Sequence, residues 1–217
     1  PVGWTEPGFD DALWSAALVQ NSPATPVPAV VNVEQSYLPA SVVSETAPGV
    51  WFIDLGRAVV GGLRISVDGT AGQTIRVRLG EELEDGQVRS HLRTRNVYDE
   101  VWTLRNGLQS AEHWGHRTFR YAELTTDPPL DLAECIDIVV HRSAWHPGES
   151  SFESPHNGLD RVWELCRYTI EATSSDLYVD TPTRERGAYE GDLLIHQMSH
   201  YSVERSYALA RYSGEYL

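Results

Sequence analysis

Apolar and polar residues alternate with a period of two through the middle of the chain. In residues 63–67 and 75–79 every second residue is apolar, and arginines and a serine occupy the positions between them. This alternation predicts strands with one buried face. Further strands are predicted over residues 97–104, 118–125 and 136–142, and Asp-Gly and Asn-Gly pairs form turns between several of them. The spacing is typical of an antiparallel β-sandwich.

The apolar period changes to about 3.6 residues after residue 148. A helix is predicted from Asn157, which suits the N-cap position, and a second helix is predicted from about residue 191. A third helix is predicted over residues 204–212. One face of the first helix is predicted to be buried, and it carries Leu159, Val162, Trp163, Cys166 and Ile170.

Prolines are frequent in residues 1–48, and their density argues against a long helix there. We interpret this segment as an edge segment or linker. The pair Pro147-Gly148 marks the place where one apolar period replaces the other. The sequence therefore predicts three parts, with a β-sandwich domain over residues 49–147 and a helical part over residues 148–217.

The overall charge argues against some classes of partner. The chain has 31 acidic and 17 basic side chains, which gives a net charge of −14. This charge repels phosphate groups, so we expect no binding to nucleic acids or to anionic membranes. No run of about 18 apolar residues is present, so no membrane-spanning helix is predicted. A neutral ligand remains compatible with this charge.

Several residue types that carry chemistry elsewhere have a structural interpretation here. Cys135 and Cys166 lie in different segments and form neither a disulfide framework nor a metal pattern. His196 and His200 have an i, i+4 spacing that can bind zinc, but no third ligand is evident and packing is the better interpretation. We therefore expect no metal and no cofactor. Core packing is also preferred to a sugar-stacking platform for Trp102, Trp114 and Trp145.

Residues 180–192 contain a dense cluster of chemically active side chains. Four carboxylates, two guanidiniums, two glycines and one aromatic ring fall within thirteen residues. Neighbouring negative charges raise a carboxyl pKa and arginines lower it, so one carboxyl can hold a proton while others stay ionised. Glycoside hydrolysis requires this combination. From charge alone, a solvated ion-pair loop is the simpler interpretation, and Asp192 could serve only as a helix N-cap.

The sequence of this loop resembles a known active-site motif. It reads D-T-P-T-R-E-R-G-A-Y-E-G-D, and the motif of bacterial α-L-rhamnosidases (glycoside hydrolase family 78) usually reads D-C-P-Q-R-E-R-x-G-W-x-G-D. Residues 54–62, 115–121 and 151–154 are similar to the D-L-G-x-x-x-x-G, H-G-F-R-Y and F-x-x-S segments of that family, in the same order. Residues 9–14 resemble the end of a preceding β-domain.

The resemblance implies a fold and a reaction. It implies β-sandwich domains followed by an (α/α)₆ toroid that begins near residue 150, of which this chain carries the first helices. Residues 1–48 would then be the tail of an upstream β-domain and a linker. The implied reaction is inverting hydrolysis of terminal α-L-rhamnosides, which makes a rhamnoside the carbohydrate substrate.

Each matching residue of the loop also receives an implied role. Glu185 matches the general acid, and Asp180 and Asp192 match carboxylates that bind rhamnose hydroxyls. Arg184 stands beside them and is expected to orient a carboxylate. Tyr189 stands where the family commonly has a tryptophan that lines the sugar site, so an aromatic face is retained with a smaller area.

The resemblance further implies that this chain contains only half of the catalytic pair. The family's general base lies later in the toroid, beyond residue 217, so the chain alone is expected to be inactive. Its helices are expected to meet the remainder of the catalytic domain or another chain. A non-catalytic carbohydrate-binding or structural β-sandwich module is the alternative, and the bacterial compartment, cytoplasmic or secreted, stays open.

Overall fold

The chain folds into a β-rich part followed by a helical part. The computed structural model describes residues 3–4, 6–20, 23, 25, 28, 30–40, 43–146 and 148–217. The strands are β1 (Val33–Pro39), β2 (Val43–Ala47), β3 (Val50–Gly69), β4 (Thr74–Gly80), β5 (Leu83–Glu84), β6 (Gln87–Val88), β7 (Asp99–Thr103), β8 (Gly107–Glu112), β9 (Arg117–Asp127) and β10 (Ile136–Ser143). The helices that follow them are α1 (Asn157–Thr173), α2 (Glu190–Tyr201) and α3 (Ala208–Tyr216).

An eight-stranded antiparallel sheet forms the β-rich part. Its main path is β1-β10-β3-β9-β4-β7, and β2 and β8 also pair with β3. The short strands β5 and β6 pair separately as a hairpin around Asp85 and Gly86, which both have a left-handed φ. The predicted order, an antiparallel β-sandwich followed by helices, is confirmed.

Strand β3 pairs with β9 on both sides of a register shift between Asp54 and Val59, and its other partners change along its length. Its first half pairs with β2 and β9, and its second half pairs with β10 and β8. At the shift, the Asp54 carboxylate accepts the Gly56 N–H at 2.8 Å and two N–H groups of Arg120 at 2.8 and 3.0 Å. The hydrogen bond from Arg120 holds the pKa of Asp54 below its usual range. The sequence segments around residues 54 and 120 therefore meet at this bend.

The core of the sandwich includes the side chains that the period-two alternation predicts. Leu63, Ile65 and Ile75 are fully buried, and Ser66 and Arg76 on the alternate positions are exposed. Full burial of an apolar side chain of this size contributes about 1.5–3 kcal/mol. Other buried members of the same core are Ile53, Val77, Leu79, Phe119, Ala122, Leu124 and Leu132.

Two strands lie inside residues 1–48, the segment interpreted from its prolines as an edge segment or linker. β1 pairs along its whole length with β10, and β2 pairs with the start of β3. β1 is an edge strand with mostly exposed side chains, so it lacks the alternation that reveals a half-buried strand. The edge position also tolerates Pro39 as its last residue. These strands correct the linker interpretation for their residues. The domain limits stay a prediction. Pro147, at the predicted boundary, lies outside the described residues.

The helices begin near the predicted places but differ in detail. α1 begins at Asn157 with His156, not Asn157, at the N-cap. α3 begins at Ala208 instead of residue 204, because the Glu204 carboxylate accepts the Ser206 N–H at 3.0 Å in a non-helical turn. Among the described residues, no helix combines the length and apolar content that crossing a bilayer requires.

The predicted buried face of α1 is mostly exposed. Of its five members Ile170 is buried and Trp163 is half-buried, while the other three, Leu159, Val162 and Cys166, are exposed. The prediction was wrong because a helical period identifies an apolar face and not whether another element covers it.

Polar contacts attach α1 to the sheet. The Tyr168 hydroxyl donates to the Ala58 carbonyl at 2.6 Å, and the Arg57 guanidinium lies 4.0 Å from the centre of the Tyr168 ring. The buried Glu171 carboxylate pairs with Arg142 of β10. The helical part is therefore fixed to β3 and β10 by charged and hydroxyl groups.

Candidate active site

The loop between α1 and α2 is closed by two hydrogen bonds across its base. The Asp180 N–H donates to the Gly187 carbonyl at 2.9 Å, and the Gly187 N–H donates to Asp180 Oδ1 at 2.9 Å. These bonds bring residues seven positions apart into contact. Asp180 therefore has a structural task in the loop in addition to any task toward a ligand.

Glu185 lies on the exposed side of this closed loop. Its carboxyl Oε1 accepts a hydrogen bond from Arg184 Nη1 at 2.8 Å, and its side chain is 37 % exposed. Arg184 is thus positioned to orient this carboxylate, as its neighbour in sequence. The carboxyl keeps direct access to solvent.

Tyr189 packs on Gly187 at the end of the loop. A Cβ atom on Gly187 would lie 2.7 Å from a ring carbon of Tyr189, so a larger residue at this position would displace the Tyr189 ring. The ring remains 49 % exposed. It offers an aromatic face beside the loop.

Asp192 stands in the first turn of α2 and does not cap the helix. Tyr189 occupies the N-cap position, so the interpretation of Asp192 as an N-cap is wrong. Burial lowers the pKa of His196, and the charges of Asp192 and Asp180 oppose this effect. The fold therefore brings both aspartates near the imidazole of His196. Sequence reasoning assigned His196 to packing, although its i+4 position from Asp192 was a usable signal.

The loop rests on the β-sandwich. The Asn96 side-chain amide donates to the Thr183 carbonyl at 3.2 Å, and the Thr183 hydroxyl donates to Glu81 Oε1 at 3.2 Å. The Arg186 guanidinium donates to the His116 carbonyl at 3.0 Å. These partners are 70 to 102 residues apart in sequence, so no local pattern could reveal them.

A cavity of about 350 Å³ opens where the loop meets the sandwich. Asn96 and Arg117 line it from the sandwich, and Thr183, Arg184 and Arg186 line it from the loop. Three guanidiniums therefore face one space. Such groups only donate hydrogen bonds, which suits the oxygen atoms of a polar ligand.

A network of polar side chains, buried except at His146, begins at Tyr178 just before the loop. The Tyr178 hydroxyl contacts His200 Nδ1, and His200 Nε2 lies 2.8 Å from Glu204 Oε2. Glu204 Oε1 continues the network to His146 Nδ1 at 2.7 Å, and the Trp145 ring stacks on His200. This network of side chains links the segment before Asp180 to the segment that connects the sheet to the helices.

The groups of this network shift one another's pKa. Burial raises the pKa of Glu204, but hydrogen bonds from His200 and His146 outweigh burial and lower it. The hydrogen bond to Glu204 raises the pKa of His146. Burial also raises the pKa of Tyr178 above its ordinary value. The pair of Glu204 and His146 therefore favours an ionised carboxylate beside a protonated imidazole.

Ligand atoms of His146, Glu149 and Glu204 lie within 4.8 Å of one another, a geometry that could hold a metal ion in the described part of the chain. Hydrogen bonds already engage these groups, because Glu149 Oε2 accepts the Arg205 N–H at 2.6 Å and Glu204 accepts from His146. The arrangement is therefore explained by internal hydrogen bonding, and no metal role is assigned to it.

The three tryptophans have different environments. Trp145 is buried and Trp102 is half-buried against the sandwich core, as predicted. Trp114 is 95 % exposed, and for this residue the core interpretation is wrong. It lies in the turn between β8 and β9, where no strand face is available to cover it.

Two models of bacterial α-L-rhamnosidase domains match this sequence. The concanavalin-like domain of these enzymes matches residues 44–140, and their six-hairpin glycosidase domain matches residues 147–213. The matches divide the chain where the sheet gives way to the helices. The chain belongs to the bacterial α-L-rhamnosidase family.

Curated members of this family are much longer than the chain. An α-L-rhamnosidase of Streptomyces avermitilis is 32 % identical over 204 residues, which cover 89 % of this chain and 20 % of that protein. An α-L-rhamnosidase of Formosa agariphila is 24 % identical over 216 residues, which cover 92 % and 22 %. This chain thus spans about a fifth of the length of these relatives.

Solved structures of the family have the same arrangement of sheet and helices. The Streptomyces avermitilis enzyme complexed with L-rhamnose matches with a TM-score of 0.67 at 29 % identity, over 84 % of this chain and 18 % of that chain. The α-L-rhamnosidase from Dictyoglumus thermophilum matches with a TM-score of 0.79 over 97 % of this chain and 25 % of that chain. The two sequences are 20 % identical, so this match shows a similar fold and nothing more. The helices of this chain are therefore the first helices of a six-hairpin domain.

The loop of residues 180–192 lies within the matched six-hairpin domain. The fold joins Arg184 to Glu185 and brings Asp180 and Asp192 near one imidazole, as described above. The roles of these four residues and of Tyr189 toward a substrate stay predictions.

Proposed function

We propose that this chain supplies the general acid of an inverting α-L-rhamnosidase and that Glu185 is that acid. In an inverting glycosidase one carboxylic acid protonates the leaving oxygen, and a second carboxylate activates a water on the opposite face of the sugar. Glu185 takes the first role. On this proposal the second carboxylate lies outside this chain.

The setting of Glu185 is the observation that carries the proposal. Its carboxyl is open to solvent, is hydrogen-bonded by Arg184, and belongs to a loop closed by Asp180 and Gly187. A proton donor must reach the substrate from a fixed position, and such an accessible group on a closed loop meets both demands. A freely solvated ion-pair loop would not need the closing bonds.

The neighbouring residues are proposed to bind the sugar. Asp180 and Asp192 accept hydrogen bonds from rhamnose hydroxyls, because carboxylate oxygens are hydrogen-bond acceptors. Tyr189 offers its exposed ring to one face of the sugar, and Arg184 orients the Glu185 carboxyl.

A non-catalytic carbohydrate-binding or structural module is the second candidate. The observation that favours it is the apolar core of the sandwich, whose buried members all come from residues 51–138 and none from the helices. The two candidates differ in their demand on the loop, because a non-catalytic module does not need an acid at Glu185. We prefer the enzyme because the loop is joined to the sandwich by three separate contacts.

The test compares the chain with a chimaera. In the chimaera this chain replaces the matching segment of the Streptomyces avermitilis relative. The chain alone should not hydrolyse an aryl α-L-rhamnoside, because an inverting site needs a base about 6.5–9.5 Å from the acid. The chimaera should hydrolyse it. Turnover by the chain alone, or a folded chimaera without turnover, would contradict the proposal.

Substitutions in the chimaera then test each role. Glu185→Gln should lower kcat by about 10²–10⁴-fold on an alkyl rhamnoside, whose poor leaving group needs protonation, and far less on a nitrophenyl rhamnoside. Asp180→Asn and Asp192→Asn should slow both substrates alike, because they act on the sugar. Glu134→Gln, on an exposed loop of the sandwich, is the matched control and should change neither rate. Equal losses on both substrates for Glu185→Gln would make it a binding residue.

A further inference from the structure

The loop that carries Glu185 is fixed to the sandwich on the N-terminal side of that residue. Thr183 is 7 % exposed, its carbonyl accepts the Asn96 side-chain amide, and its hydroxyl donates to Glu81. Thr183 therefore has polar partners on both its backbone and its side chain, and all of them come from the sandwich. Only Arg184 separates this anchored residue from Glu185.

The loop is fixed again on the C-terminal side of Glu185. The Arg186 guanidinium donates to the carbonyls of Pro182 and His116 at 3.1 and 3.0 Å. Arg186 also has a left-handed φ of 52°, which is uncommon for a residue other than glycine and persists only when its surroundings enforce it. The two anchors therefore enclose Arg184 and Glu185.

The sandwich presents Asn96 from a tight turn of defined shape. The Leu92 N–H donates to the Asn96 carbonyl at 2.9 Å, and the Arg95 N–H donates to the Leu92 carbonyl at 2.9 Å. Arg95 has a left-handed φ of 72°. Non-glycine residues in left-handed conformations thus stand on both sides of the contact between sandwich and loop. Strained backbone of this kind concentrates at functional sites.

We propose that Asn96 of the sandwich is a positioning residue for Glu185. Its amide fixes the Thr183 carbonyl, and through this carbonyl it sets the place from which the Glu185 carboxyl meets the leaving oxygen. Glu81 supports the same position through the Thr183 hydroxyl. The inference rests on the proposed role of Glu185 as general acid. It makes the sandwich a part of the active site and not an appended domain.

Removal of this amide should affect proton transfer more than binding. Asn96→Ala takes away the donor to Thr183 but leaves every sugar-binding residue in place. A displacement of about 1 Å in a reacting group can cost up to about 100-fold in rate, so we expect kcat on the alkyl rhamnoside to fall about tenfold. The rate on the nitrophenyl rhamnoside and both KM values should stay within about twofold, because that leaving group needs little protonation and the residues proposed to bind the sugar are unchanged.

The experiment measures kcat and KM for both rhamnosides in the chimaera. Asn106→Ala is the matched control, because Asn106 accepts the Ala71 N–H at 2.8 Å near the opposite end of β4 from Asn96. It should leave all four constants unchanged. Glu81→Ala, the truncation of an exposed side chain, keeps the test valid if Asn96→Ala does not fold, and should give the same selectivity with a smaller loss.

The outcomes separate this inference from the proposed function. A loss confined to the alkyl rhamnoside in Asn96→Ala supports the inference. Equal losses on both rhamnosides, or no loss in Asn96→Ala and Glu81→Ala while Glu185→Gln is selective, overturn it and leave the function intact. A Glu185→Gln variant without selectivity refutes the proposed function itself.

Discussion

The sandwich and the helical part of this chain differ in how much apolar surface they bury. In the sandwich, apolar side chains such as Leu63 and Phe119 are fully buried between strands. In the helical part, Leu194, Ile195 and Met198 are each about 60 % exposed, and the buried side chains include His200, Glu204 and Glu171. The helices therefore combine hydrogen bonds and ion pairs with two small apolar clusters, around Leu209 and around Ile170, where the sheet has one large apolar core.

This difference explains how the loop of residues 180–192 can be held in place beside helices with exposed apolar faces. The loop takes its anchors from the well-packed sandwich through Asn96, Glu81 and the His116 carbonyl. Active-site groups commonly stand on loops that a rigid scaffold holds in place. In this chain the scaffold is the sheet, although the loop belongs to the helical domain.

The largest expected effect is the difference in stability between two leucine-to-alanine variants, one in the sandwich and one in the helical part. Leu63→Ala removes a fully buried side chain and should lower the free energy of unfolding by about 2–5 kcal/mol. Leu194→Ala removes a side chain that is 59 % exposed and should change it by less than about 0.5 kcal/mol. Urea unfolding of both variants measures the difference. Similar losses in the two variants would break the comparison.

A smaller effect is expected at the junction of the two parts. Tyr168→Phe removes the hydroxyl that donates to the Ala58 carbonyl but keeps the ring under the Arg57 guanidinium. One net hydrogen bond contributes about 0.5–1.5 kcal/mol, so the opening free energy of α1 should fall by that amount in amide exchange. Tyr216→Phe, at an exposed position in α3, is the control. Unchanged exchange in α1 would mean that this contact does not hold the helix.

The smallest effect is a pH dependence of stability that His146→Gln removes. The pKa of His146 is raised in the folded chain by Glu204, so this contact stabilises the fold below the ordinary histidine pKa of about 6.5. The contribution disappears as pH rises through the raised pKa. The Tm difference between the native chain and His146→Gln should therefore be larger at pH 5.5 than at pH 8.5. An equal difference at both pH values would exclude the ion pair as a source of stability.

Sequence reasoning was most successful where one face of an element is buried by its own sheet. The alternation around Leu63 and Ile75 identified strands. In a sandwich, successive side chains of a strand point alternately to the core and to solvent, so apolar and polar residues alternate. It missed β1, whose exposed edge position leaves no alternation. It also assigned burial to Leu159 on α1, because a period does not reveal whether a partner covers the face.

The candidate site was accessible to sequence reasoning only in part. Residues 180–192 stood out because charges, glycines and a motif coincide in one short segment. The supporting residues did not stand out, since Asn96 and Glu81 reach Thr183 across 87 and 102 positions. Their contacts with Thr183 follow from the packing of the sandwich against the loop, which no local pattern encodes.

The central claim is that the sandwich holds the loop of Glu185 in one position, and amide hydrogen exchange of the 217-residue chain tests it most directly. The N–H groups of Asp180 and Gly187 donate within the closed loop, so they should be protected from exchange, and Asn96→Ala should reduce their protection while Asn106→Ala does not. Exchange of both amides at unprotected rates in the native chain, or protection that Asn96→Ala leaves unchanged, would contradict the claim.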